Sequence, residues 1–147
     1  MAFTSGVYPV YNLVFKIDKT SRGAVPAFVT IAEMETFEPS IDGNTEEWTP
    51  MTTSGWVRRL MTGKKFSIKL SGKRHVGDEG NDYVAGIAFK DGLDCSTALK
   101  IEFPDGDSLT FDCVVNVSKS FGGQSTNVSA LEFEALSDGK PVYTEAI

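Results

Sequence analysis

The residues able to do chemistry are few. The chain has a single histidine, His75, two cysteines, Cys95 and Cys113, and a group of aspartates at Asp105, Asp107 and Asp112. A zinc site needs several nitrogen or sulfur ligands at characteristic spacings, and His75 stands in the basic turn Gly72-Lys73-Arg74-His75 with no second ligand pattern. It reads as a solvent-facing loop histidine. Ser-His-Asp catalysis would need that same histidine beside a nucleophile, and no nucleophile elbow is present. Gly122-Gly123 fits no phosphate-loop spacing. Asp105, Asp107 and Asp112 offer a carboxylate pair for glycoside chemistry, but turn-forming aspartates belong naturally at a hairpin tip. The expectation is a protein that is not an enzyme, with no cofactor and no metal.

Nucleic-acid binding is the next class to weigh. From Arg58 to Arg74 the chain is basic, with Arg58, Arg59, Lys64, Lys65, Lys69, Lys73 and Arg74 and no acid. Lys65, Lys69 and Lys73 are four apart on an expected strand, so they share a face that could meet phosphates. No aromatic residue interleaves with them as a stacking platform would require. The whole chain carries a net charge of −6, which argues against affinity for DNA or anionic membranes. From Gly23 to Val57 the bias is opposite, with Glu33, Glu35, Glu38, Asp42, Glu46 and Glu47 and no base. Two readings stay open. The segments are solvated faces that neutralise each other within the fold, or they are complementary patches for head-to-tail contact between copies.

The stretch from Glu38 to Lys64 stands between two expected strands and shows neither strand alternation nor helical period. Pro39, Pro50, Gly43, Gly55 and Gly63 interrupt it, and it holds both tryptophans, Trp48 and Trp56, with Met51, Val57, Leu60 and Met61. Long loops without structure are usually functional or disordered, and disordered segments are poor in aromatic and large apolar residues. The segment reads as a long loop arm whose apolar residues bury against something else, another subunit included. The assembly residues expected on it are Asp42, Glu46, Glu47, Trp48, Met51, Trp56, Arg58, Arg59, Leu60 and Met61. Lys65, Lys69, Lys73 and Arg74 form a candidate complementary patch. The opposing reading is an arm folded back on its own domain.

The remaining elements must position that arm. Val10 to Asp18 alternates as a half-buried strand, with Tyr11, Leu13, Phe15 and Ile17 on one face. Phe28 to Phe37 is a second strand whose phase slips near Glu33, as at a bulge. Lys64 to Arg74 alternates cleanly on Phe66, Ile68 and Leu70. Asn81 to Phe89 changes to a period of four and predicts a short helix, capped by Asn81 or Asp78 and ended near Gly92, with Gly86 allowing close packing on a sheet. Thr97–Phe103 and Leu109–Ser118 form a hairpin in which Phe103 meets Leu109, Ile101 meets Phe111 and Leu99 meets Cys113. In that register Cys95 lies about 13 Å from Cys113, beyond disulfide reach, and both are expected as free thiols. Leu131, Phe133 and Ala135 mark another strand, and Val142-Tyr143 a short edge segment. With 147 residues, 41% apolar and 23% charged, the chain fits one domain spanning 1–147. The class is mainly β, a two-sheet β-sandwich or barrel-like domain with one short flanking α-helix (about 81–89) and a loop arm (about 38–64). No run reaches the roughly eighteen apolar residues of a membrane span. MAFTSGVYPVYN lacks the features of a secretory signal, so the chain is expected in the cytoplasm where it is made.

Taken in order, NDYVAGIAFKDGLDC, a hairpin closing on PDGD, and VSKSFGGQSTNVSALEFEALSDGKP resemble the tail tube (major tail) proteins of long-tailed bacteriophages. Ser120-Phe121-Gly122-Gly123 and Leu131 to Pro141 carry the resemblance furthest, and it runs from about Tyr8 to Thr144. It implies a β-sandwich with a flanking helix, rings of six copies stacked head to tail, and a long loop after the second strand that reaches a neighbouring copy. It further implies a virion structural protein assembled in the host bacterial cytoplasm, forming a conduit for DNA that transits without specific binding. A tape-measure protein in the lumen, with tail terminator and distal tail proteins at the ends, is the implied company. Lys100, Glu102, Asp112, Glu132 and Glu134 are candidates to face the lumen. A stand-alone carbohydrate- or protein-binding β-sandwich, using Trp48 and Trp56 as an aromatic platform, is the alternative.

Overall fold

Alternating apolar residues build the core. In the computed structural model, which describes residues 4–146, Phe66, Ile68 and Leu70 of one strand and Leu131, Phe133 and Ala135 of its neighbour all point inward and are buried. The strands are β1 (Val14–Asp18), β2 (Phe28–Thr30), β3 (Met34–Trp48), β4 (Arg58–Lys73), β5 (Ser96–Glu102), β6 (Ser108–Lys119), β7 (Ala130–Ser137) and β8 (Val142–Thr144), with helix α1 at Glu79–Ile87. They form one antiparallel, 8-stranded sheet in the order β2-β1-β5-β6-β7-β4-β3, with β8 on β6. The fold is mainly β and barrel-like, as expected. No helix among the described residues is long and apolar enough to cross a membrane.

What rolls the sheet up is the step between its two outermost strands. The expected strand Phe28–Phe37 is not one bulged strand but two, because Glu33 takes a left-handed φ of 67° and re-aims the chain. The Ile31 amide donates to Phe15 O at 2.9 Å, extending the β1–β2 ladder, while the Lys73 amide donates to Glu33 O at 2.9 Å, extending β3–β4. Within two residues the chain passes from one edge of the sheet to the other. Phe15 and Phe37 meet across this seam with ring centroids 4.9 Å apart.

Helix α1 pins the seam. Asp78 caps it by accepting from the Asn81 amide at 3.0 Å and also accepts from the Ala32 amide at 3.0 Å. Asn81 is completely buried. Its Nδ2 donates to Ala32 O and Lys73 O, and its Oδ1 accepts from the His75 amide and from Arg74. The backbones approach so closely that a Cβ at Gly80 would stand 2.4 Å from Thr30 O, and one at Gly72 would stand 2.0 Å from Glu33 O. Val84 and Ile87 carry the helix's apolar face into the core. The close approach expected of Gly86 belongs to Gly80 instead, because Gly86 is exposed with open space beside it. The helix begins and ends two residues before the expected 81–89, since the cap is Asp78.

Three further boundaries differ. The first strand begins at Val14, because Pro9 leads into a 3-10 turn at Val10–Asn12. The β5–β6 hairpin keeps its apolar parity but pairs Ile101 with Leu109, Leu99 with Phe111 and Thr97 with Cys113. Its loop is closed by Phe103 N–H to Asp107 O and Gly106 N–H to Phe103 O, with Gly106 at φ 96°, a turn with a glycine bulge. That shifts the register by one pair step and leaves every inward residue inward. Cys95 and Cys113 are free. Finally, Glu38–Lys64 is no irregular loop. Most of it is strand, shared between β3 and β4.

Candidate assembly surfaces

β3 and β4 pair along their whole length, from Met34 opposite Gly72 to Trp48 opposite Arg58. Their inner halves are barrel staves, and beyond Ile41 and Phe66 they run on as a two-stranded arm. A bulge interrupts the arm between Asn44 and Thr45. There Thr62 Oγ1 bonds to Asn44 O and Nδ2, at 3.1 and 2.9 Å, holding the extra residue. Met61 lies across Gly43, where a Cβ would stand 2.7 Å from Met61 Sδ and would push that flexible side chain aside. The arm's strands escape a periodicity test because every arm residue from Glu38 to Thr49 is exposed, so no buried face imposes alternation.

At the tip, Pro50 leads into a 3-10 turn at Met51–Thr53, and Ser54 and Gly55 follow with φ of 52° and 88°. Thr53 cinches the turn, its hydroxyl donating to Trp56 O at 2.7 Å and its carbonyl accepting from the Trp56 amide at 3.0 Å. The tip is thereby shaped while its large side chains stay outside. Met51 is 100% exposed, Trp56 79% and Trp48 39%, and Val57, Leu60 and Met61 are exposed as well. The arm does not fold back to bury its tryptophans. From Trp48 to Val57 the sequence carries no charge.

The acidic and basic segments turn out to be cross-strand neighbours. Asp42 lies opposite Lys65, Glu38 opposite Lys69 and Glu47 opposite Arg59. Arg59 bonds Glu47 at 2.8 Å, Lys73 pairs with Glu35 at 3.1 Å and Arg74 with Asp82 at 2.8 Å. Arg58 sits over the Trp48 ring, 5.5 Å from its centroid. Much of the charge complementarity therefore operates within one chain, and ion pairs at the surface add little to the stability of the fold.

Register also places the candidate lumen residues. Glu38, Lys69, Glu134 and Asn116 lie side by side across β3, β4, β7 and β6, and Thr36, Ser71, Glu132 and Lys119 form the neighbouring row. Lys100 and Glu102 lie on β5 and Asp112 on β6, facing outward between inward-pointing neighbours. All of these share the sheet's outward face. Charges alternate along it, with Lys119–Glu132 at 3.4 Å and Lys16–Glu102 at 2.8 Å. Arg74 stands apart from the other patch residues, since it is drawn into the seam by Asn81 and Asp82.

The chemistry-bearing residues have structural duties. Asp105 accepts from the Asp107 amide within the turn, and Asp107 accepts from the Tyr143 hydroxyl and the Ala146 amide. The Tyr143 hydrogen bond holds the Asp107 carboxyl below the usual carboxylate range and pushes the Tyr143 hydroxyl up to about 12. Burial pushes the Cys113 thiol up to about 12, which leaves it protonated and inert. His75 is exposed, 4.0 Å from Glu33. Among the described residues no group of three or more His, Cys, Asp or Glu is arranged to hold a metal.

Sequence reasoning missed one feature here. A groove of about 610 Å³ opens at the base of the arm, floored by Ile41, Phe66, Leu109 and Pro141 and edged by Lys64, Lys65 and Lys140. Ile41 was its only local signal, an apolar residue in a polar run.

No protein-family model matches the sequence, and no curated protein matches it. Solved structures do. A chain from the tail of an empty gene transfer agent particle, determined by helical refinement with C6 symmetry, aligns with a TM-score of 0.74 at 19% identity over 95% of this chain and 100% of that one. A chain of the native gene transfer agent virion aligns with a TM-score of 0.68 at 19% identity, covering 95% and 100%. A chain from the sheath–tube complex of an extracellular contractile injection system aligns with a TM-score of 0.55 at 14% identity, covering 95% and 93%. This chain has the fold of those tail and tube-complex subunits.

Proposed function

We propose that this chain is a tail tube protein, a virion structural subunit of one domain that polymerises with itself. The observation that carries the reading is the arm. A paired hairpin carries two tryptophans and a methionine away from the barrel and presents them on an uncharged tip. Exposed apolar anchors on a rigid support are the composition of an interface centre. The fold shared with chains of gene transfer agent particles supports the tail-tube reading.

The arm of one copy contacts the next, and because arm and barrel are different surfaces the contact is heterologous and repeats. Six copies close a ring and rings stack into a tube, a copy number supported by the C6 symmetry of one similar tail. The outward face bearing Glu38, Lys69, Glu134 and Glu132 is the candidate wall of the lumen. Its basic groups alternate with acids, so it offers a passing polyanion no unbroken positive strip. DNA passes through without being held, a tape-measure protein occupies the lumen before ejection, and terminator and distal proteins close the ends. Assembly takes place in the host cytoplasm.

Negative-stain microscopy of the purified protein across a concentration series tests this. Tubes or six-fold rings are expected. A monomer at every concentration and salt would leave the reading without support, and would favour a stand-alone binding module.

A further inference from the structure

The tip's docking place is the feature that the assembly reading leaves open, and this inference rests on that reading. The groove at the arm's base has an apolar floor of Ile41, Phe66, Leu109 and Pro141, and its rim carries Lys64, Lys65 and Lys140, with Asp42 opposite Lys65 on the paired strand. Ile41, part of the floor, is 70% exposed. Past Phe66, whose amide bonds to Ser137 Oγ, β4 pairs with β3 alone, so its other edge faces the groove unpaired. β8 is also paired on one side only, with β6. The groove thus lies along the open edge of β4, with Pro141, just before β8, on its lining.

We infer that this slot receives the arm tip of a second copy of the same chain. The tip's own groove is out of its reach. Ile41 at the groove and Trp48 near the tip are joined by seven residues of paired strand, about 23 Å at strand rise, and that pairing forbids the hairpin from doubling back. The fit is chemical on two counts. The uncharged tip brings Met51 and Trp56 to an apolar floor, and the Trp56 indole suits a lysine rim through cation–π contact, while Trp48 already carries Arg58 over its ring. The tip's shoulder also brings Glu46, which has no ion pair among the described contacts, toward Lys64, Lys65 and Lys140. Tip and slot lie at opposite ends of one hairpin, so the contact propagates from copy to copy.

The test is cross-linking in assembled protein. In a Cys95→Ser background, Met51→Cys at the tip is combined with Lys140→Cys at the rim, and a short bis-maleimide is added to preformed tubes. Cys113 is fully buried and stays silent. Denaturing gels are expected to show a ladder of three, four and more subunits for the double variant. Either single variant stops at dimers, because one thiol per chain cannot propagate. Intact tubes from the double variant with nothing beyond dimers would overturn the slot as receptor while leaving tube assembly standing. If the Cys95→Ser parent forms no tubes at any concentration, the assembly reading itself fails and this inference goes with it.

Discussion

At the scale of single residues, Asn81 joins three segments through one amide. Replacing it with alanine strands Ala32 O, Lys73 O and the His75 amide, all within the seam. Leaving buried polar groups unmet costs about 1–3 kcal/mol each, and relaxation recovers part of that, so Asn81→Ala should lose roughly 3 kcal/mol in urea denaturation. Two glycines of the same helix give a sharper contrast. Gly80→Ala forces a methyl to 2.4 Å from Thr30 O, whereas Gly86→Ala projects one into open space. The first is expected to be severely destabilised and the second stabilised by up to about 1 kcal/mol, from helix propensity alone. Equal unfolding midpoints for the two variants would contradict the seam as described.

Asp18 sets an acid limit. Burial pushes its carboxyl upward, but hydrogen bonds from Thr20, Ala27 and Arg22 outweigh this and the net shift is below the ordinary value of 3.8. A depressed folded value means that the stability gained is complete above the ordinary carboxylate range. It is lost as pH falls from there through the folded value. Asp18→Asn should therefore flatten the fall in stability between pH 5 and pH 2, each an approximate bound on that window, in denaturation curves taken across the range. An unchanged slope would assign the acid limit elsewhere.

At the scale of elements, the arm is separable from the barrel. Deleting Asp42–Met61 and closing the ends leaves Phe37 opposite Leu70 and Ile41 opposite Phe66, so the core staves survive. The expected product has a circular dichroism spectrum of an intact β fold and forms no tubes. Full tubes from it would refute the arm's role. Trp48 and Trp56 also provide an intrinsic reporter. Both are exposed in the isolated chain, so their emission should move to shorter wavelength with polymerisation, and Trp56→Ser should remove a large share of that change.

Legibility differed among these elements for a physical reason. Phe66, Ile68 and Leu70, and likewise Leu131, Phe133 and Ala135, were readable because one face is buried and the other wet. Parity in the β5–β6 hairpin was readable on the same ground. Its register was not, because bonding between Phe103 and Asp107 settles where pairing ends. The arm strands were hidden because both faces meet solvent. Its apolar residues are nonetheless conspicuous in the sequence, and Trp48, Met51 and Trp56 are exposed on the single chain. The seam depends on contacts between Ala32, Lys73 and Asn81, far apart in sequence, which no local window contains.

At the scale of the whole molecule, β4 belongs to two structures at once. Its residues Arg58–Lys65 are arm, and its residues Phe66–Lys73 are a barrel stave flanked by β3 and β7. The partner strand β3 continues from the arm to the seam, where Lys73 bonds Glu33 and Asn81 bonds both neighbouring segments. Tension applied at the tip along the arm therefore runs parallel to the strands. It loads the β4–β7 ladder in shear, with many bonds sharing the force, and none is peeled one at a time. A filament built through such arms would transmit axial pull from barrel to barrel through continuous backbone, and would resist stretching better than bending. Optical-trap extension of single filaments, compared with filaments of Asn81→Ala subunits, would read the seam as the anchor at which that load ends.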